Sequence, residues 1–215
     1  MRPCLSWTFG IALALFMTVT PYVYYRQCYE TNKRFRVVQS GKLYRSGCLT
    51  VEGFEDAIKR HGIRTVLNLQ EEAPDPDLDA SYFSTRTERE SELCKRLGVN
   101  YEFLQVDLQP PNTVPHDRPE SIAKFLALMD NPKNYPVLVH CRAGLHRTGV
   151  LVALYRMEYN GWSSFEALEE LRSLGFGRIA SYAPNEYIWQ YVLAYQPRGT
   201  KSSAAPTGRL TSLPK

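Results

Sequence analysis

The chain has 215 residues, 44% of them hydrophobic, which suits one compact domain of about 150 residues with extensions. Its formal charge of +4 does not mark a nucleic-acid binder, because residues 37–196 carry 17 basic against 21 acidic side chains and the excess lies outside them. A mildly acidic folded part with no basic, aromatic-interleaved face excludes that class.

In chain order, the first feature is an uncharged stretch of 23 residues between Arg2 and Arg26, long enough as a helix to cross a hydrocarbon core of about 30 Å. Trp7 at one end and Tyr22, Tyr24 and Tyr25 at the other match the aromatic belts of a membrane span. A cleaved secretory signal is the competing reading. No A-x-A pattern closes the apolar run, and Thr18-Val19-Thr20 is followed by Pro21, so an uncleaved anchor over 1–33 is expected. Arg26, Lys33, Arg34 and Arg36 follow the span, which predicts a single-pass protein with its domain in the cytoplasm.

A folded domain is expected over 34–196. The runs "KLYRS", "IRTVLNL", "YEFLQV" and "PVLVH" have the short apolar character of strands. Helical periodicity marks about 51–60, 88–97, 119–129 and three segments after residue 147, with Ser163 or Ser164 ahead of Glu166 as a cap. Strands alternating with helices predict an α/β domain with a central, mostly parallel sheet flanked by helices, and a ligand site at the carboxyl ends of its strands. The acidic segment 71–90 is expected as a solvated loop and helix start that can line one approach to that site. The tail 197–215, rich in Pro, Gly, Ser and Thr, is expected to be disordered. Five cysteines at 4, 28, 48, 94 and 141 give an odd count without regular spacing, which does not read as a disulfide framework.

The chemistry concentrates in "HCRAGLHRTG", residues 140–149. "PVLV" ends a buried strand and "TGVLVALY" continues as a helix, so residues 141–147 join a strand end to a helix start. Amides in such a turn lack internal partners and the helix dipole adds positive charge, which suits an anion. Gly144 can take a positive φ there. Arg147 offers a planar fork for two phosphate oxygens. The same field favours the nucleophilic thiolate form of Cys141. A metal site at His140, Cys141 and His146 matches no common zinc spacing.

This segment resembles the C-x5-R signature of the cysteine-dependent protein tyrosine phosphatase superfamily. The resemblance implies a phosphatase-like fold, no metal and no cofactor. It also implies a two-step reaction in which Cys141 forms a phosphocysteine that water hydrolyses. The amides of Arg142, Ala143, Gly144, Leu145 and His146, with the Arg147 guanidinium, would bind the phosphoryl oxygens. Thr148 would hydrogen-bond the leaving thiolate, and His140 would help orient the loop. The family places a general acid about thirty residues upstream on a loop. Asp107 in "DLQPPNTVPHD" fits, with Asp117 as competitor and as the better helix cap.

The short core and the segments "GKLYRSG" and "IRTVLNL" are similar to the compact, atypical dual-specificity branch of plants and fungi and its bacterial relatives. That similarity implies a phosphorylated protein substrate, phosphotyrosine first and phosphoserine or phosphothreonine second. An inositol phosphate or a phospholipid head group is the alternative. Some members that cleave inositol pyrophosphates carry basic residues where this loop has Ala143 and Leu145. A rhodanese-type sulfurtransferase and a non-catalytic phosphate-binding adaptor are the readings from other classes. The arginine and threonine after the loop argue against the first. The presence of both Cys141 and Arg147 argues against the second.

Overall fold

A computed structural model of the chain describes residues 3–25, 32–81, 84–106, 118–176 and 186–199. The first element is helix α1, Pro3–Tyr25. Its portion Trp7–Tyr25 is long and apolar enough to cross a membrane and has none of its length buried against the rest of the chain. Trp7, Phe9, Phe16 and Met17 all stand exposed. The Thr18 hydroxyl donates back to the Ala14 carbonyl at 2.8 Å, so it has a partner without water.

The domain is built on a five-stranded sheet. Its strands are β1 (Arg36–Gln39), β2 (Leu43–Gly47), β3 (Thr65–Asn68), β6 (Asn100–Phe103) and β7 (Val137–Cys141), in the order β1-β2-β7-β3-β6. The pairs β2–β7, β7–β3 and β3–β6 are parallel, as expected. Strand β1 adds an antiparallel edge, Val37 opposite Tyr44, that makes the sheet mixed. A separate antiparallel hairpin, β4 (Asp77–Ser81) and β5 (Ser84–Arg89), occupies much of the acidic segment expected to be loop and helix start. Helix α3 accordingly begins at Glu90 rather than at 88.

Alternation along β7 decides what lies on each face of the sheet. Val137, Val139 and Cys141 point into one buried cluster with α4 (Glu120–Asp130), α5 (His146–Asn160), α6 (Ser164–Ser173) and α7 (Glu186–Ala194). Leu138 points into a second cluster, which includes Tyr44, Phe54, Val66, Leu78 and Leu93, beneath α2 (Val51–His61), α3 (Glu90–Leu97) and the hairpin. All five β7 residues are buried, so the strand is walled on both faces and by a neighbour on each side.

Local chemistry sets the helix ends. Thr50 accepts from the Gly53 amide to start α2, and Gly62 in the left-handed region closes it. Ser163 and Glu166 form a reciprocal capping box at α6, the cap expected there. Arg198, grouped with the tail by composition, donates to Asp130, Glu158 and the Tyr159 hydroxyl, so it is tied to α4 and α5.

Candidate active site

The site lies where β7 runs into α5. Cys141 is the last strand residue and is 5% exposed, and residues 142–145 form the loop that leads into α5 at His146. Leu145, at the helix cap position, offers no capping side chain, and the first turn of α5 holds no acid. The N-terminus of a fifteen-residue helix is therefore left to an external anion.

The loop curls around the thiol. The Gly144 amide donates to Cys141 Sγ at 3.2 Å. Gly144 has φ +70°, and a Cβ there would fall 2.5 Å from the carbonyl of Ser46 and the amide of Gly47. Only glycine fits both the backbone conformation and the space. Gly47 is pressed in the same way, since a Cβ on it would meet the Lys33 side chain at 2.8 Å and the Ala143 carbonyl carbon at 3.2 Å.

The outer side of the loop is held by residues from the first strands. The Cys48 amide donates to the Arg142 carbonyl at 3.3 Å. Arg34 donates to the Ala143 carbonyl at 3.0 Å, and Arg45 to the Gly144 carbonyl at 2.7 Å. Arg45 is 3% exposed. Burial brings its guanidinium pKa down to about 10, against a partial rise from Glu170, so it is still charged at neutral pH.

Arg147 is half-buried beside the loop. Its Nη1 donates to the Leu69 carbonyl at 3.2 Å and to Glu72 Oε2 at 2.6 Å. Glu72 is held below the usual carboxylate range. Partial burial works against that shift, and a backbone amide and the Arg147 guanidinium outweigh it. His146 is held below its usual value, first by burial and then by Arg147, and its ring stands edge-on to Phe176 at 5.2 Å. Thr148 is fully buried and its hydroxyl has no partner among the described residues. Arg142 is exposed and Ala143 half-buried at the rim, while Leu145 is buried.

His140 faces the other way, as alternation requires. Its Nε2 lies 2.6 Å from Glu90 Oε1, and neither side chain is exposed. The thiol of Cys48 completes a group whose ligand-type atoms lie within 4.8 Å of one another. Burial and then Glu90 push the Cys48 thiol up to about 11, so it stays protonated at neutral pH. Glu90, Glu72, Arg34 and Arg45 are the site neighbours that motif spacing did not show. Asp107 and Asp117, the two candidate acids, lie outside the described residues.

The geometry thus joins a buried thiol, the inward Gly144 amide, an open helix N-terminus and a half-buried arginine, a set suited to an oxyanion at a nucleophile. A family model described as the tyrosine phosphatase family matches residues 31–194. Among curated proteins, the chain is 39% identical over 61 residues to the dual specificity protein phosphatase TpbA of Pseudomonas aeruginosa, covering 28% of each. It is 28% identical over 137 residues to the inositol diphosphatase DSP3 of Arabidopsis thaliana, covering 63% of this chain and 59% of that one. Both matches span less than two thirds of the relative's own length. Among solved structures, the fold is similar to the core catalytic domain of the PP-IP phosphatase SIW14 from S. cerevisiae. The TM-score is 0.54 at 23% identity, covering 75% of this chain and 85% of that one.

Proposed function

The chain belongs to the tyrosine phosphatase family, and on that premise we propose that it is a phosphoric monoester hydrolase with Cys141 as nucleophile. The observation that carries this reading is the Gly144 amide aimed at Cys141 Sγ at 3.2 Å, at the end of a buried strand and beside the Arg147 guanidinium.

In the proposed reaction the Cys141 thiolate attacks phosphorus and the bond to the leaving oxygen breaks. Asp107 supplies the proton that the leaving oxygen takes up. Water then attacks the phosphocysteine, releasing phosphate and restoring the thiolate, with the buried Thr148 hydroxyl as its hydrogen-bond donor. Loop amides from Arg142 to His146 and the free face of Arg147 hold the phosphoryl oxygens, so catalysis rests on positioning and charge rather than on a metal or other cofactor.

The substrate we propose is a phosphorylated protein, phosphotyrosine before phosphoserine or phosphothreonine. Ala143 and Leu145 add no charge to the loop beyond what one phosphoryl group requires. An inositol phosphate is the second reading, supported by the DSP3 relative, whose name is inositol diphosphatase, and by the exposed Arg142 at the rim. We further propose that α1 anchors the protein in a membrane as a single span, with the domain on the cytoplasmic side where the basic residues after Tyr25 lie.

The test is phosphate release from p-nitrophenyl phosphate by the full chain in detergent, with reductant and chelator present. Turnover is expected to vanish in Cys141→Ser and to fall by roughly 10²–10³ in Arg147→Ala, the scale of losing one preorganised charge-stabilising group. A folded wild-type chain without turnover on this ester, a phosphotyrosine peptide or an inositol diphosphate would overturn the reading. Flotation of the full chain with liposomes, lost on deleting residues 3–25, tests the anchor.

A further inference from the structure

The three carbonyls of residues 142, 143 and 144 are each taken by a donor from outside the pocket: the Cys48 amide, Arg34 and Arg45. In a planar trans peptide the C=O of one residue and the N–H of the next point in opposite directions. A carbonyl held outward therefore turns the following amide inward. The Gly144 amide shows the result directly, since the carbonyl of Ala143 is held by Arg34 and the amide in the same peptide plane reaches Cys141 Sγ. By the same geometry Arg45, on the Gly144 carbonyl, turns the Leu145 amide inward.

On the phosphatase reading above, we infer that Arg34 and Arg45 are positioning residues that set the loop amides for the phosphoryl group. Two guanidiniums also polarise the peptides they hold, because a charged donor on a carbonyl strengthens the hydrogen bond its amide can give. Neither side chain belongs to the signature motif, and they lie about a hundred residues before it in the chain. Arg34 holds a left-handed backbone, φ +59°, which a non-glycine residue keeps only where surrounding contacts fix it. Its neighbours anchor that turn: the Lys33 carbonyl accepts from the Gly47 amide at 2.7 Å, and the Phe35 ring stacks on Tyr44 and His61.

Arg34 stands just before β1, so residues 32–35 are part of the loop's support. In the same turn the Lys33 side chain packs on Gly47, where a Cβ would meet it at 2.8 Å.

The test uses the full chain in detergent, with Arg34→Met, Arg34→Lys and Arg45→Met beside the wild type. Tungstate binding is measured by calorimetry, KM and kcat on p-nitrophenyl phosphate, and folding by near-ultraviolet circular dichroism and melting. Arg34→Met is expected to keep its melting temperature and to bind tungstate roughly tenfold more weakly, the scale of one charge-assisted hydrogen bond, with kcat falling more than KM rises. Arg34→Lys, which keeps the charge and one donor, should recover part of the loss. Arg45→Met should show a larger loss, and if burial makes it unfold, Arg34→Met alone decides. Unchanged tungstate affinity and kcat in folded Arg34→Met overturns the inference and leaves the phosphatase reading standing. A wild-type chain that binds no tungstate overturns both.

Discussion

Glu90 Oε1 and His140 Nε2 meet at 2.6 Å with both side chains fully buried, and His140 is the residue that directly precedes Cys141. The carboxylate comes from the first turn of α3, and the imidazole also rests edge-on against Phe54 of α2 at 5.3 Å. The two helices thus reach the back of the site through one ring. Removing one member of a buried pair leaves the other without a partner, at a cost of about 3 kcal/mol. Glu90→Ala should lose about that much stability in urea denaturation, and Glu90→Gln, which can still hydrogen-bond the ring, clearly less. Equal losses in the two variants would show that packing and not the pair holds His140.

Arg147 gives Nη1 to Glu72 and Leu69, which leaves the remaining edge of the fork for an oxyanion. Glu72 is therefore expected to orient the arginine more than to compete for it. Glu72→Gln should lower kcat/KM on p-nitrophenyl phosphate by about tenfold, a positioning effect of the size that small misplacements produce. A rise in kcat/KM would mean that the carboxylate acts instead as a rival to the substrate.

Thiol chemistry separates the described cysteines. Cys48 is pushed up to about 11 and Cys94 to about 12, each by burial first and then by Glu90. Both stay protonated at pH 7.5, and protonated thiols alkylate slowly. Brief iodoacetamide treatment followed by peptide mass mapping should find Cys141 modified well before Cys48 or Cys94. Prior saturation with inorganic phosphate should slow the Cys141 reaction alone.

The Arg198 cluster predicts a pH dependence. Asp130 lies below its usual value, chiefly because Arg198 donates to it, and Glu158 does so although burial works against it, because Arg198 and the Tyr195 hydroxyl outweigh burial. Carboxyls depressed in the folded state add stability above their unfolded values, about 4, and lose it as pH falls through the folded ones. Since Asp130 and Arg198 are partly exposed, Arg198→Ala should cost about 1 kcal/mol at pH 7. Melting curves from pH 7 to 3 should show the wild type and variant converging as the pH drops.

The elements that a hydrophobic pattern marks were legible from the residues. β3 and β7 stand out by their apolar residues because they are buried inside the sheet, β2 by Leu43 and Tyr44, and α6 carries its cap in plain view. The hairpin β4–β5 was not legible, because "DLDAS" and "STRTER" alternate around almost no apolar side chains and owe their pairing to each other. β1 escaped notice for a related reason: it is four residues long, at an edge, with Arg36 and Val37 exposed. Within the site, Cys141 and Arg147 stand at fixed spacing in one loop and could be found by motif. Arg34, Arg45 and Glu90 reach it by folding from distant segments, and no spacing in the sequence connects them to Cys141. A buried glutamate at a helix start also looks the same in sequence as a solvated one.

β7 is the last strand of the sheet to appear in the chain, yet it occupies the centre, between β2 and β3. Until it inserts, β2 and β3 have no direct pairing, and Arg34, Arg45 and the Cys48 amide have no loop to hold. Contacts so distant along the chain form slowly and late, because closing the intervening loops must precede any gain from pairing. Cys141, the last residue of β7, therefore enters the sheet in the same step that completes it. A chain in which β7 is not yet paired has neither a complete sheet nor the loop after Cys141 in its supports.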